Sequence, residues 1–233
     1  MNDSIRLFEL AGADDEIRFS PYCWRTRLAL AHKGLNFKTI AWRFTEKEAI
    51  AASGQDKVPV LVIGERWLHD SWDIAVHLED HFPQGPSLFG CSQGRATARF
   101  VSQWTNDVLQ PAIARIIAPD MPAILHEKDR AYFRTTREIR FGCSLETLAS
   151  ERQKALTALH QILTPMRAVL GKQSFLAGDA PAYVDHCVFG AFQWANIINS
   201  LPLIEPDDPM FAWSERMLDA YGGIARSAKR CHA

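Results

Sequence analysis

Up to about residue 82 the chain alternates short β-rich runs with helical periodicity, a pattern that predicts a small α/β unit. The runs are IRLFEL at Ile5–Leu10, FKTIAW at Phe37–Trp42, VPVLVI at 58–63 and ERWLH at 65–69. Between the first two, a helix is predicted to begin at Pro21, whose fixed φ and missing N–H suit a first helical position. Trp24, Leu28, Ala31 and Leu35 recur along it at helical spacing, and Ser20 falls at the N-cap. A further helix follows Asp70 and Ser71 and runs to about Phe82, where Pro83, Gly85 and Pro86 interrupt any regular element. The expected division is an N-terminal unit at 1–83, a linker at 84–90 and a C-terminal unit at 91–233.

Beyond the linker nothing alternates like a strand. Leu145, Leu148, Leu156, Leu159, Leu163, Met166 and Leu170 form a stripe between Ser144, a candidate N-cap, and Gly171, a candidate stop, with a kink expected at Pro165. Val184, Val188, Ala191, Ala195 and Ile198 mark the next helix, so the second unit is expected to be an all-helical bundle.

Composition narrows the class. The 233 residues are 47% apolar and 23% charged, with 7 Trp and 13 Phe, which provides the packing material of a globular protein. Lys plus Arg number 26 against 27 for Asp plus Glu, a formal net charge of -1 that draws the chain to neither nucleic acid nor an acidic membrane. Cysteines 23, 91, 143, 187 and 231 are scattered, without a CxxC pair, as expected of reduced thiols rather than disulfides or a zinc site. No start resembling a secretion signal and no apolar run of membrane-spanning length occurs, so a cytoplasmic location is expected.

Three segments of the first unit have chemical potential. In Ser20-Pro21-Tyr22-Cys23-Trp24-Arg25 the serine is either a plain N-cap or a donor beside a helix N-terminus whose free N–H groups favour an anion such as a thiolate. A free thiol of pKa about 8.5 is only slightly ionised at neutral pH, and each unit of depression contributes about 1.4 kcal/mol, within reach of one hydroxyl and a dipole. In Lys57-Val58-Pro59-Val60-Leu61 the proline marks a strand's first residue or edge, or a cis bond that turns the Val58 backbone outward toward an extended, peptide-like ligand. In His69-Asp70-Ser71-Trp72, Asp70 or Ser71 caps the next helix, or Ser71 and the helix N–H groups hold a ligand carboxylate while Asp70 accepts from its ammonium group.

Taken in order, the first strand, the SPYCWR helix start, the second strand, KVPVL and DSW, followed by an all-helical half, resemble the glutathione transferase superfamily over nearly the whole chain. The resemblance implies a thioredoxin-like N-terminal domain and an all-α C-terminal domain. FSPYCWRTRLALAHKGL resembles the Ser-type classes, in which the serine before this helix activates glutathione, and it maps to Ser20. Lys57, Val58, Pro59, Asp70 and Ser71 map to glutathione-binding positions, with glutathione as co-substrate, a hydrophobic or aromatic electrophile as its partner, and a homodimer as the expected assembly. The loop GADDEIRF, the stretch YFRTTREIRFG and the tail PLIEPDDPMFAWSERMLDAYGG are similar to the bacterial β-etherase-like branch and its fungal-type relatives, which implies reductive cleavage of aryl ethers as an alternative to conjugation. A non-catalytic binder of the same fold is the remaining alternative.

One departure from the family pattern lies at Pro181-Ala182-Tyr183-Val184-Asp185, where Ala182 cannot supply a side-chain cap, leaving Asp185 to bond backbone donors. Among competing signals, Cys23 is expected to be a buried structural thiol, and His77 and His81 a solvated helix face rather than a metal site. Arg130, Arg134 and Arg137, interleaved with acids, are expected to form a paired surface, with an anionic substrate as the less favoured alternative. The aromatics of the helical half, including Phe100, Trp104, Tyr132, Phe133, Phe141, Phe189 and Trp194, are expected to be mostly core. The electrophile pocket is expected near Tyr22, 104–109 and 133–141.

Overall fold

A computed structural model describes residues 4–198 and 201–231; the outer ends of the two expected units lie outside these. Strands β1 (Ile5–Leu10), β2 (Phe37–Trp42), β3 (Val60–Ile63) and β4 (Arg66–His69) form one sheet in the order β2-β1-β3-β4. Helix α1 (Pro21–His32) connects β1 to its parallel neighbour β2, whereas β3 runs antiparallel to both β1 and β4. The β3–β4 hairpin turns at Gly64-Glu65, with Gly64 at φ 59°, so β4 starts one residue later than its apolar run suggests. Similarly, β3 starts at Val60, two residues into its run, and α1 ends before Leu35 because Gly34 takes φ 66°.

The central strand shows why the sheet is buried on both sides. Ile5 and Leu7 pack with Leu61, Leu30 of α1, and Ile74 and Leu78 of α2 (Ser71–His81), while Phe8 and Leu10 join Val60, Val62 and Trp42. The two sets alternate along β1 as the strand period requires. Phe19, Trp24 and Leu28 continue the second set into the helical half.

Helices α3 (Ser92–Trp104), α4 (Gln110–Ile117), α5 (Met121–Ile124), α6 (Glu127–Phe141), α7 (Leu145–Ser150), α8 (Arg152–Ile162), α9 (Thr164–Leu170), α10 (Tyr183–Ile198) and α11 (Pro209–Gly223) make up the rest. The leucine stripe is therefore three helices rather than one. Ser144 caps the first through the Thr147 N–H, and Pro165 does not kink a helix but sits in the first turn of α9. Phe100 also departs from expectation: it is 71% exposed on α3 rather than in the core. No helix among the described residues is long and apolar enough to cross a membrane, and all five cysteines are free thiols.

Helix α10 runs through the centre and is buried nearly all round, from Asp185 to Gln193 without a break. Asp185 performs the role that Ala182 cannot: its carboxylate accepts from the backbone N–H groups of Ala182 (3.1 Å), Leu176 (2.7 Å) and Ala177 (3.2 Å) and from the Trp213 indole (2.9 Å). Gly190 lets α10 approach α1, since a Cβ there would lie 2.7 Å from the Pro21 carbonyl oxygen. The start of α1 is thus seated on the central helix of the other half.

Candidate active site

Ser20 closes the loop that follows β1 and opens α1 with extended dihedrals, φ -61° and ψ 126°. The loop is held at both ends. Gly12 N–H donates to the Ile17 carbonyl (3.0 Å), Ala13 N–H to that of Ile124 (2.8 Å), and the Trp24 indole to that of Arg18 (2.8 Å). With Pro21 lacking an N–H, the Ser20 hydroxyl oxygen accepts from Cys23 N–H at a long 3.4 Å, which leaves its own proton uncommitted by that bond. The first turn of α1 holds no acidic residue. Cys23 is buried as expected, and burial pushes its thiol up to about 12, so it remains protonated.

The Val58–Pro59 bond is cis, and Val58 lies before the paired part of β3. Its backbone groups enter no ladder or turn bond among the described residues. Lys57 is exposed and forms no salt bridge among them, the adjacent acid, Asp56, being bonded to Lys47. Asp70 caps α2, its Oδ1 accepting from Trp72 N–H (2.8 Å) and Asp73 N–H (3.3 Å), at φ 64°, a conformation that a non-glycine residue adopts only under constraint. Beside it, the buried Tyr183 hydroxyl of the helical half donates to the Ser71 carbonyl at 2.7 Å and fastens the start of α2.

Ser20, Lys57, Val58, Pro59, Asp70 and Ser71, drawn from three separate segments, all line one cavity of about 920 Å³. Its opposite wall comes from the helical half. The regions expected around the pocket contribute Tyr22 from α1 and Asn106, Phe133, Arg137, Arg140 and Phe141 from the helical half; Trp194, one of the aromatics expected to be mostly core, joins them, as do Phe44 of the sheet domain, Gln110 and Arg115, which carried no prior signal of their own. Phe44 is placed by Asp129 of α6, fully buried, whose carboxylate accepts from the N–H groups of Phe44 (3.2 Å) and Thr45 (3.1 Å) and from the Thr45 hydroxyl (2.8 Å). Asn106 and Gln110 are turned by a π-helical segment, Thr105–Leu109, ahead of Pro111; such widened turns recur at functional sites. A proline within a helical pattern was the signal available for that distortion.

The arginine stripe is not a uniform paired surface. Arg134 lies 2.9 Å from both Glu138 and Glu146, and Arg130 donates to the Leu125 carbonyl. Arg137 instead lies against Phe133 and Phe44, 4.9 and 5.5 Å from their centroids, in the cavity wall. Burial raises the Tyr22 phenol above its usual range, opposed by the charges of Arg25 and Arg140, so it stays protonated at the cavity edge. The His77 and His81 rings stack at 3.9 Å, and no group of three metal-binding side chains occurs among the described residues.

Comparison with known proteins agrees with this geometry. A model of the glutathione S-transferase N-terminal domain matches residues 19–81, and one of the glutathione S-transferase C-terminal domain matches residues 96–201. Glutathione S-transferase U28 of Arabidopsis thaliana is 23% identical over 207 residues, covering 86% of this chain and 81% of its own. Among solved structures, a glutathione S-transferase of Ceriporiopsis subvermispora in complex with glutathione has a TM-score of 0.76 at 22% identity, over 94% of this chain and 96% of that one. Glutathione transferase GSTFuA3 from Phanerochaete chrysosporium has a TM-score of 0.76 at 24% identity, over 95% and 92%. With the thioredoxin-like sheet matched by one domain model and the helical half by the other, the chain belongs to the glutathione transferase superfamily.

Proposed function

We propose that this chain is a glutathione transferase in which Ser20 stabilises the glutathione thiolate and the cleft presents it to an aromatic electrophile. The observation that carries the reading is the convergence of Ser20, Val58, Asp70 and Ser71 on one cavity at two helix N-termini. The Val58 backbone pairs with the cysteinyl part of the tripeptide, as an edge strand does. Ser71 and the first N–H groups of α2 hold the γ-glutamyl carboxylate, Asp70 accepts from its ammonium group, and Lys57 faces the glycyl carboxylate. The Ser20 hydroxyl then donates to sulfur, and the dipole of α1 adds to that stabilisation.

The chemical step follows from these positions. The thiol proton passes to solvent, the sulfur lone pair forms a bond to the electrophilic carbon, and the leaving group departs with its bonding pair. Ser20 forms no covalent bond at any stage. With an aryl halide the product is a thioether; with a β-aryl ether the phenolate leaves, so the second substrate measures the etherase-like chemistry directly.

Steady-state kinetics of Ser20→Ala test the role. Loss of the single side-chain donor is expected to lower kcat by about a hundredfold with a smaller change in the KM for glutathione. Normal turnover combined with lost affinity removes Ser20 from this role, and failure of the native chain to bind glutathione overturns the whole reading.

A further inference from the structure

The helical wall of the cleft contains polar groups that the protein leaves without partners. Gln110, 6% exposed, has its side-chain Nε2 buried and unbonded, and the Trp194 indole Nε1 and Asn106 Oδ1 are in the same condition. Two of these three atoms are donors, and unsatisfied buried donors are rare enough in folded proteins to point to an acceptor supplied from outside. Arg137 adds a charge to that wall. Among the described residues its only hydrogen bond goes to the neighbouring Thr136 hydroxyl (2.9 Å) and no carboxylate pairs with it, although Arg134, three residues earlier, has two. Burial and the nearby Arg140 charge both disfavour its protonated form.

The acids of the cleft are committed elsewhere. Asp56 is 2.9 Å from Lys47, and Asp70 caps α2 on the sheet side. The Arg137 guanidinium lies over the Phe133 and Phe44 rings, so a flat ligand that reaches it meets a planar fork of donors beside two aromatic side chains.

From these groups we infer that the electrophile taken by this enzyme is an aromatic acid whose carboxylate is held by Arg137, with the buried donors of Gln110 and Trp194 serving its other oxygen substituents. The inference rests on the transferase reading and specifies its second substrate.

The test uses matched probes on the full chain with glutathione saturating. Calorimetric titration with nitrobenzoate and nitrobenzamide compares a carboxylate with its uncharged isostere. Nitrobenzoate is expected to bind about tenfold tighter, the ratio to fall close to one in Arg137→Gln, to persist in part in Arg137→Lys, and to be unchanged in Arg134→Gln. Turnover of a chloronitrobenzoate and the matching chloronitrobenzamide, each divided by its uncatalysed rate with glutathione, should show the same ordering. Equal binding of acid and amide in the native chain overturns the inference, as does a ratio unchanged in Arg137→Gln. Weaker glutathione binding in Arg137→Gln with the probe ratio intact assigns the arginine to the tripeptide and also overturns it. Glutathione affinity is measured separately, so a chain that ignores the tripeptide defeats the transferase reading, whereas equal probe binding with glutathione bound defeats this inference alone.

Discussion

Ser20 and Cys23 stand one turn apart at the start of α1, and their surroundings separate their chemistry. The thiol is sealed in and held protonated, while the hydroxyl lines the cavity, so the helix N-terminus acts on whatever anion reaches Ser20. Asp70 caps α2 and, in the proposed reading, also faces the glutathione ammonium, two roles that substitution can separate. Asp70→Asn keeps an oxygen for the two N–H groups of α2 and tolerates the positive φ, so stability is expected to stay within about 0.5 kcal/mol in urea unfolding. If Asp70 faces the glutathione ammonium as proposed, that charge is lost and calorimetric affinity should fall by about tenfold. A large stability loss with unchanged affinity would reverse the assignment.

At the scale of elements, the site depends on how closely α1 is seated against α10. Gly190→Ala places a methyl group 2.7 Å from the Pro21 carbonyl oxygen and 3.3 Å from Arg25 Cγ. Backbone cannot yield as a side chain tip does, so the two helices must separate. The expected cost is about 1–3 kcal/mol of stability, with a drop in kcat because Ser20 moves with α1. Unfolding and kinetics on the same variant check both, and an unaltered midpoint would show that the contact relaxes without cost. The π-helical segment before Pro111 works on the opposite wall, turning Asn106 and Gln110 into the cleft where a regular helix would carry them round.

Over the whole molecule, a proton chain links α1, α10, the segment before α3 and the end of α11. The His32 Nε2 faces the Ser87 carbonyl (3.0 Å) and must donate to it, so His32 Nδ1 accepts from the Tyr221 hydroxyl (2.8 Å), whose oxygen in turn accepts from His186 Nε2 (2.7 Å). His186 is fully buried and its Nδ1 has no partner. Burial, followed by the influence of His32, holds the His186 imidazole well below its usual range, and burial also lowers His32. A base depressed in the folded state binds its proton in the unfolded chain first, so stability is full above about pH 6.5 and falls as pH drops below it. His186, the more deeply buried of the two, contributes to that loss as pH falls from about 6.5 to about 5. Urea unfolding at the two pH values is expected to show lower stability at about pH 5, with a shallower dependence in His186→Gln; identical slopes would exclude the network as the source.

The succession of strands and helices in the first half, the Ser20 cap, a cap at Asp70 or Ser71 and the replacement of the missing Ala182 cap by Asp185 were legible in the chain, because each depends on neighbours within a few residues. Periodicity also separates a mixed α/β half from a helical one, since the two periods differ. The leucine stripe shows the limit of that signal: periodicity is unaffected by the breaks at Glu151 and Leu163 that divide it into three helices. The second wall of the cleft was decided only in three dimensions. Arg134 and Arg137 look alike in sequence, yet one is paired with two glutamates at the surface and the other faces the cavity beside a phenylalanine from the sheet domain. Whether an apolar helix face becomes core or cleft depends on what packs against it, and for Phe44, Gln110, Arg137 and Trp194 those neighbours are far away along the chain.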